Sequence, residues 1–333
     1  MIHAVINYYL QKDYSLEAAI KKSYPLFTGA FSLVVMTCNK VAAVRDSCGI
    51  RPLSIGKLNG GWIFSSETCA LDTIGATYFR DVKPGEMVVA DRSGLTSYQI
   101  AKGKQKLDIF EFVYFARPDS ILLGKRVNEV RRNLGVNLYR EFPLQADVVI
   151  PVPDSAIPAA LGYSQASGIP FEHGLIKNRY IHRTFIRPAQ KLRESDVKMK
   201  LNPIPEVFRG KEVIVIDDSI VRGTTSKKLI EMLRSMKVKK VHLLISSPPV
   251  RYPDFYGIDT PKQSDLIASK MNLKQITKYI GADSVHYLSY KGLISATGLP
   301  EKVFSTSCFT GIYPIDIGER KQEISNKYYS GIK

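Results

Sequence analysis

The stretch that most limits how this 333-residue chain can fold is residues 212–226, EVIVIDDSIVRGTTS. It begins with a run of β-branched apolar residues, which is typical of a strand buried in a parallel sheet. Asp217 and Asp218 follow where that strand should end, and a hydroxyl-rich turn with one glycine comes next. Beyond the turn, apolar residues recur at helical spacing, at Leu229, Ile230, Leu233 and Met236. The stretch therefore predicts a strand, a turn and a helix in that order.

The turn has the features of an anion-binding site. The free N–H groups of a helix's first turn and the positive end of its dipole both point at the preceding loop. Gly223 would let the backbone close tightly around a phosphate. Four hydroxyl donors lie in the same turn, at Ser219, Thr224, Thr225 and Ser226. The sequence thus predicts a phosphate cradle.

A phosphate cradle alone does not explain the two adjacent carboxylates, because acids repel a polyphosphate. Sugar hydroxyls that donate to Asp217 and Asp218, or a bridging Mg2+, would offset that repulsion. Phosphate, diol and Mg2+ together describe a ribose 5-phosphate ester. The alternative is an ordinary strand–loop–helix with a solvated acidic turn, which the hydroxyl-rich loop beside the acids disfavours.

The length of the chain predicts two domains, which we place at residues 1–107 and 108–333. The first is β-rich, with strands predicted at 29–36, 40–46, 62–67 and 86–91 and a short helix at 69–74. In the second, strands and helices alternate, which indicates a parallel α/β sheet. Residues 112–120 lead into that sheet. Further strands are predicted from 147, at 241–247 and at 285–288, with helices through 166, at 264–270 and at 273–280.

Two further segments of the second domain are candidates for contact with an anion. The strand from Asp147 runs into a loop of small residues near Ser155, whose exposed N–H groups would suit a pyrophosphate or its Mg2+. The alternative is a plain strand-to-helix connection. Residues 176–194 mix six basic residues with aromatic ones and follow no regular period. We interpret them as a mobile basic flap that excludes water, the alternative being a solvated run of charge.

The formal charge of +16, from 47 basic and 31 acidic residues, could indicate nucleic-acid binding. However, the basic residues are spread along the chain, and no nucleic-acid-binding motif is present. A polyanionic small substrate accounts for the charge at least as well.

No apolar run approaches the ~20 residues of a membrane span. Residues 1–13 lack the pattern of a secretory signal, so we expect a cytoplasmic protein. The cysteines are expected to be free and buried, at Cys38, Cys48, Cys69 and Cys308.

With these segments placed, the chain resembles the glutamine phosphoribosyl pyrophosphate (PRPP) amidotransferases, which perform the first committed step of purine synthesis. The resemblance covers essentially all of the chain. It rests on the motifs GIRPL (49–53), SET (66–68), VYFARPDS (113–120), KNRY with RTFI (177–180, 183–186) and VIDDSIVRGTTS (215–226), extended by YGID (256–259) and IGAD (280–283). It implies a β-rich glutaminase domain of the N-terminal-nucleophile class, followed by a type I phosphoribosyltransferase sheet flanked by helices.

The resemblance also assigns roles to residues. PRPP would be held by Asp217, Asp218, Ser219, Ile220, Val221, Arg222, Gly223, Thr224 and Thr225. Mg2+ would be held by Ser155, Asp217 and Asp218. Catalysis would involve Lys177, Arg179, Tyr180 and Arg183, in a flap (residues 177–193) that closes over the substrate and completes the ammonia path. Ammonia would displace Mg2+-pyrophosphate from ribose C1 through an oxocarbenium-like state, with water excluded.

This sequence departs from the family pattern in two places. The family's glutaminase uses an N-terminal cysteine, whereas here Met1 and Ile2 open the sequence and Cys38 is the first cysteine. We expect a chain that starts partway through the glutaminase domain and uses ammonia, with a separate glutaminase half as a potential partner. One branch of the family holds an iron–sulfur cluster on four cysteines. The corresponding region offers Phe110, Asp254 and only Cys308, so no cluster is expected.

The family also implies a homo-oligomer inhibited by purine nucleotides. Two other interpretations of the chain stay open at this stage. One is a regulatory protein that binds PRPP and has affinity for nucleic acid through its basic surface. The other is an inactive fragment, because a β-sandwich cut partway exposes a sheet edge and part of its core.

Overall fold

The computed structural model describes residues 1–178, 180, 201–257 and 262–324. Its helices are α1 (Ile2–Leu10), α2 (Leu16–Ser23), α3 (Thr68–Thr73), α4 (Val127–Glu141), α5 (Ile157–Ser167), α6 (Pro205–Phe208), α7 (Thr224–Ser235), α8 (Ile267–Lys270), α9 (Leu273–Ile280), α10 (Tyr290–Thr297) and α11 (Ser307–Thr310).

The strands of the first half are β1 (Ser32–Met36), β2 (Val41–Arg45), β3 (Ser54–Leu58), β4 (Gly61–Ser65), β5 (Thr77–Asp81), β6 (Glu86–Asp91) and β7 (Gly94–Gln99). Those of the second half are β8 (Leu107–Asp108), β9 (Ile121–Leu122), β10 (Lys125–Arg126), β11 (Val148–Pro151), β12 (Leu175–Lys177), β13 (Leu201–Pro203), β14 (Glu212–Asp217), β15 (Lys240–Ile245), β16 (Ser284–Tyr287) and β17 (Phe304–Ser305).

Residues 1–99 form two antiparallel sheets, with strand orders β1-β2-β6-β7 and β4-β3-β5. One face of the first sheet packs on α1 and α2, through residues such as Ala42, Val44 and Met87. Its other face packs on the second sheet, through Ile55 and Val88. Because neighbouring residues of a strand point to opposite faces, β2 and β6 each contribute to both cores. The prediction of a β-rich first half is confirmed.

The second half is built on a four-stranded parallel sheet in the order β11-β14-β15-β16. Ile214 and Ile216 of β14 join the core beneath α4, α5 and α10. Val213 and Val215 join the opposite core, beneath α7 and α9. A strand covered on both faces needs an unbroken apolar run, which explains the sequence of β14. Because β11 and β14 are parallel neighbours, the loops that follow them lie side by side at one edge of the sheet.

Polar contacts join the two halves of the chain. Arg51 donates from Nε to the carbonyl oxygen of Tyr256 at 3.0 Å and from Nη1 to Glu111 Oε1 at 2.8 Å. Glu67 Oε2 accepts hydrogen bonds from Ser120 Oγ and from the N–H of Arg117, both at 2.7 Å. These contacts tie the strand ends of the first half to the segment that leads into the parallel sheet.

Several sequence predictions need correction. Cys38 is exposed in the turn between β1 and β2, whereas Cys48, Cys69 and Cys308 are free and buried as expected. Residues 112–115, which we expected to lead into the parallel sheet, belong to a single turn of π-helix, Glu111–Phe115. The helix expected at 264–270 is shorter, because a 3-10 turn at Gln263–Asp265 precedes α8. Among the described residues, no helix is long and apolar enough to cross a membrane.

Candidate active site

The phosphate loop (residues 217–225) connects the end of β14 to the start of α7. Gly223 precedes the helix with φ +77°, a conformation that L side chains rarely adopt. A Cβ at this position would also lie 2.6 Å from Ile267 Cδ1. Thr224 and Thr225 are exposed at the start of α7, where helix geometry leaves the backbone N–H groups without partners inside the helix. The loop is therefore shaped to present donors to an anion.

Asp217 and Asp218 form the acidic edge of this loop. Asp217 Oδ1 accepts the N–H of Asp218 at 2.9 Å. Asp218 is buried and accepts hydrogen bonds from Ser155 Oγ and Ser219 Oγ, both at 2.5 Å. Ser155 comes from the loop that follows β11, so this contact joins the two loops. The structure thus brings Ser155 into contact with Asp218, which directly follows Asp217; these are the three residues that the resemblance assigns to Mg2+.

Burial raises the pKa of both carboxyl groups. For Asp217, the charge of Asp218 raises the pKa further. For Asp218, the hydrogen bonds from Ser155 and Ser219 and the charge of Arg131 act in the opposite direction. Since each buried carboxylate disfavours the ionisation of the other, a cation or hydroxyl donors at this edge would stabilise the ionised pair.

The second loop (residues 152–156) follows β11 and carries Asp154 and Ser155. Lys177, at the end of β12, donates from Nζ to Asp154 Oδ2 at 2.5 Å. The ion pair is exposed, so the ammonium group is free to exchange this partner for another anion. Lys177 therefore lies beside the second loop.

Of the other predicted catalytic residues, the structure describes Tyr180. Tyr180 is 96% exposed, and its backbone N–H binds the side chain of Asn178 at 3.0 Å. Arg179, Arg183 and residues 181–193 of the flap lie outside the described residues. On either side of the flap, β12 pairs antiparallel with β13. The two described segments that flank residues 178–200 are therefore neighbouring strands.

Arg131 was not singled out from the sequence, although it lies close enough to Asp218 for their charges to interact. It is 2% exposed on α4 and donates to the carbonyl oxygens of Phe112 and Ala116 at 2.7 and 2.8 Å. Burial lowers the pKa of its guanidinium to about 10. The signal in the sequence is an arginine among apolar residues at helical spacing, namely Val127, Val130, Leu134 and Leu138.

The region compared with the family's iron–sulfur cluster site is buried and contains Phe110, Asp254 and Cys308. Asp254 accepts a hydrogen bond from Ser307 Oγ at 3.3 Å, and the rings of Phe110 and Phe309 are 6.2 Å apart. Burial raises the pKa of the Cys308 thiol, and the charges of Asp108 and Asp254 raise it further. Within the described ranges, no group of three or more His, Cys, Asp or Glu side chains is arranged to hold a metal ion on its own.

Comparison with known families agrees with this geometry. The family described as phosphoribosyl transferase domain matches residues 120–249, which include both loops. The fold and the site therefore define a phosphoribosyltransferase-domain protein of the type I, parallel-sheet class.

Whole-chain relatives are more specific. The amidophosphoribosyltransferase of Synechococcus elongatus is 49% identical over 310 residues, which are 92% of this chain and 62% of that protein. That of Bacillus subtilis is 45% identical, over 91% of this chain and 65% of that protein. The solved B. subtilis glutamine PRPP amidotransferase, complexed with ADP and GMP, superimposes with a TM-score of 0.85 at 45% identity, covering 92% of this chain and 68% of that one. A second structure, described as the allosteric regulatory enzyme of purine biosynthesis, gives a TM-score of 0.87 at 42% identity, covering 98% of this chain and 72% of that one.

The chain belongs to the amidophosphoribosyltransferase family. It spans about three fifths of the length of the curated relatives that it matches, 62% for the S. elongatus protein.

Proposed function

We propose that this chain performs the phosphoribosyl-transfer reaction of an amidophosphoribosyltransferase. It would convert PRPP and ammonia into 5-phosphoribosylamine and pyrophosphate, the first step of purine synthesis. The observation that carries the proposal is the hydrogen bond from Ser155 to Asp218, which joins the two loops at the ends of adjacent parallel strands. One loop suits a ribose 5-phosphate and the other a pyrophosphate, so together they match the two ends of PRPP.

The phosphate loop would bind the sugar phosphate. The exposed hydroxyls of Thr224 and Thr225 and the first turn of α7 would donate to the 5-phosphate. Asp217 and Asp218 would accept hydrogen bonds from the ribose hydroxyls. The remaining contacts would come from Ser219, Ile220, Val221, Arg222 and Gly223. Closure of the turn depends on Gly223, because a Cβ there would collide with Ile267.

The donor set at this edge fits Mg2+. Asp217, Asp218 and Ser155 offer only oxygen ligands, which Mg2+ prefers, and too few of them for a cage made by the protein alone. This pattern is usual where substrate phosphates supply the rest of the coordination. When bound, Mg2+ would neutralise the charge that develops on the departing pyrophosphate. The carboxylates would in turn be held in their ionised state by that charge.

Lys177 and the flap would act on the other end of the substrate. The ammonium group of Lys177 would leave Asp154 for an oxygen of the pyrophosphate, beside the second loop. Arg179, Tyr180 and Arg183 would follow as the flap closes, adding positive charge where the leaving group departs. Closure would also keep water from competing with ammonia at C1.

The source of ammonia is part of the proposal. A cavity of about 510 Å³ lies at the junction of the two halves, lined in part by Arg51, Glu67, Glu111 and Phe115. It is a candidate route by which ammonia would reach the transferase site. In this proposal the ammonia is free or is supplied by a separate glutaminase half.

The proposal includes no iron–sulfur cluster, because Cys308 is accompanied by Asp108 and Asp254 where a cluster would need further thiolates. We further propose a homo-oligomer that acts in the cytoplasm. PRPP, ammonia or glutamine would be its small-molecule partners. Neither nucleic acid nor a membrane has a part in the proposed reaction.

The test is pyrophosphate release from PRPP and Mg2+, measured with ammonium and, separately, with glutamine. We expect release with ammonium alone. The Asp217→Asn variant, prepared in the same way, should lose activity by about 10²-fold or more, and this loss excludes a contaminating enzyme. Bound PRPP without pyrophosphate release in ammonium would overturn the proposed reaction. Release with glutamine at the same rate would overturn the dependence on free ammonia.

A further inference from the structure

A second cavity, of about 430 Å³, lies at the C-terminal ends of β15 and β16. No residue of the phosphate loop or of the second loop lines it. Its walls are mainly apolar and include Pro248, Ile276, Leu288 and Phe309. Cavities of this size with apolar walls and few polar groups are typical of small-molecule sites.

Arg251 is the one cationic residue that lines this cavity among the described residues. Its backbone is fixed on both sides, because its N–H donates to the carbonyl oxygen of Cys308 at 3.0 Å and its own carbonyl accepts from Gln263 Nε2 at 3.0 Å. In the part of the chain that the structure describes, its half-buried guanidinium has no hydrogen bond or ion pair. Within the described residues, no acid therefore pairs with the charge of this cavity-lining arginine.

Tyr287 supplies the second unused polar group. The residue lines the cavity and is 9% exposed, and its hydroxyl is buried without a hydrogen-bond partner among the described residues. Arg251 lies near enough for its charge to lower the pKa of this phenol, against the larger effect of burial, which raises it. A buried hydroxyl without a partner is unusual in a folded protein, because it loses the hydrogen bonds that water would supply.

The other polar side chains around the cavity are engaged in the fold. Ser289 accepts the N–H of Gly292 at the start of α10 and donates to Glu141. Tyr290 donates its hydroxyl hydrogen to Glu301 at 2.8 Å. Asn272 caps α9 by accepting the N–H of Gln275. Among the described residues, Arg251 and Tyr287 are thus the two polar lining side chains without a partner in the fold.

We propose that this cavity is a binding site for a small organic monoanion, a carboxylate carried on a flat apolar body. The carboxylate would pair with the guanidinium of Arg251, which presents donors in a fork that matches two carboxylate oxygens. One of those oxygens would accept the hydrogen bond that Tyr287 lacks. The apolar body would lie against Phe309 and Leu288. A single cation suits a ligand with one negative charge, whereas a polyphosphate would call for several cations.

This site is separate from the proposed transferase reaction and is tested without it. The probe is 2-naphthoate, added to the full 333-residue protein, with binding measured by calorimetry and by ligand-observed NMR. We expect saturable binding with a dissociation constant of about 1 mM or lower. The neutral analogue 2-naphthamide has nearly the same shape and should bind at least about tenfold more weakly, because it cannot form the charged pair.

Two variants assign the site to these residues. Arg251→Gln should weaken binding of 2-naphthoate by about tenfold or more, and Tyr287→Phe by about three- to tenfold. Tyr287→Phe should also raise or preserve the melting temperature, because it removes a buried hydroxyl without a partner. The matched control is Arg209→Gln, which removes an exposed arginine that directly precedes Gly210, near the start of β14 at the opposite end of the sheet. It should leave binding unchanged.

Three results would overturn the proposal. The first is the absence of saturable binding of 2-naphthoate by the folded wild-type protein. The second is equal affinity for 2-naphthoate and 2-naphthamide, which would mean that the cavity recognises only an apolar body. The third is an Arg251→Gln variant that binds 2-naphthoate as well as Arg209→Gln does.

Discussion

Ser155 donates its hydroxyl hydrogen to Asp218 across 2.5 Å, from the loop after β11 to the loop after β14. The two strands are parallel neighbours, with Val148 opposite Val213 and Pro151 opposite Ile216. The contact therefore sets the spacing between the two loops at the place where they face the proposed substrate. It also favours the ionised form of a carboxyl group whose pKa burial raises.

The first prediction concerns this hydrogen bond. Ser155→Ala removes a donor to Asp218, so the pKa of Asp218 should rise further and the protonated form should be favoured. Calorimetry at pH 7 should show that affinity for PRPP in the presence of Mg2+ falls by about tenfold. The loss should shrink at pH 9, because a higher pH restores the carboxylate. Ser155→Thr keeps the hydroxyl and should retain most of the affinity. Equal affinity of the Ala variant at both pH values would contradict this role.

The parts of the site that could be predicted from the sequence are those encoded by local pattern. The buried run of β14, the acids at its end and the hydroxyl-rich turn are contiguous, so their order alone specifies a strand, a loop and a helix. The structure confirms this sequence of elements at residues 212–235. Ser155 and Asp218 were grouped only through the family resemblance, because the sequence places both strand ends at one edge of a parallel sheet without showing that β11 and β14 are neighbours.

Other parts depend on packing between distant segments and could not be predicted in this way. Arg131 contacts the carbonyl oxygens of a π-helical turn that no short pattern announces. Arg51 lies beside Glu111 only because the two halves of the chain pack together. Strands β3, β5 and β7 were not predicted, and β5 and β7 have mostly exposed or half-exposed residues, so their alternation is weak. Helix α4 is different, because the helical spacing of its apolar residues is present in the sequence.

The second prediction concerns Gly223. Gly223→Ala combines an unfavourable φ of +77° with a Cβ that would lie 2.6 Å from Ile267 Cδ1. We expect the free energy of unfolding to fall by about 2–4 kcal/mol, with weakened PRPP binding because the turn must open. Gly210→Ala is the matched control, since Gly210 has φ +72° but no atom within 4 Å of the added Cβ.

That control should cost only about 1 kcal/mol and leave PRPP binding intact. The measurements are urea unfolding and calorimetry with PRPP. If the two glycine variants lose the same stability and bind PRPP equally, the contact with Ile267 does not constrain the loop.

The third prediction concerns pH and Asp108, which lies buried at the junction of the two halves. Burial and then the charge of Asp254 raise the pKa of Asp108 to about 8. An unfolded aspartate titrates near 3.9, so the folded protein binds the proton more tightly. The contribution of Asp108 to the free energy of unfolding is therefore greatest below about pH 4, and it is lost as the pH rises towards 8.

Asp108→Asn removes that titration and keeps the oxygen that accepts the N–H of Phe110. The variant should be more stable than the wild type at pH 8.5, by about 2 kcal/mol or more, and the advantage should vanish near pH 4. Urea unfolding across this range provides the measurement. Asp72→Asn, at an exposed position, is the control and should show no such trend. A pH-independent difference for Asp108→Asn would show that Asp108 is not held protonated.

The last prediction concerns Arg51, which neutralises the acids at the junction of the two halves. Its Nη1 lies 2.8 Å from Glu111 Oε1 and 3.3 Å from Asp108 Oδ2. The contact with Asp108 is an ion pair without a hydrogen bond, since Asp108 Oδ2 has no hydrogen-bond partner among the described residues. Arg51→Ala would leave two buried carboxyl groups without their cation. We expect the free energy of unfolding at pH 8 to fall by about 2–4 kcal/mol, and by less at pH 5, where both acids take up protons more readily.

Hydrogen exchange locates the effect of Arg51→Ala. The amides of residues 108–116 should exchange faster, because the side chain that ties this segment to the carbonyl oxygen of Tyr256 is gone. Arg80→Ala is the control, since Arg80 pairs with Glu86 inside the first half and does not reach the junction. It should lower stability without changing exchange at residues 108–116. If both variants change exchange there equally, the effect comes from general destabilisation of the first half, and Arg51 does not hold the junction.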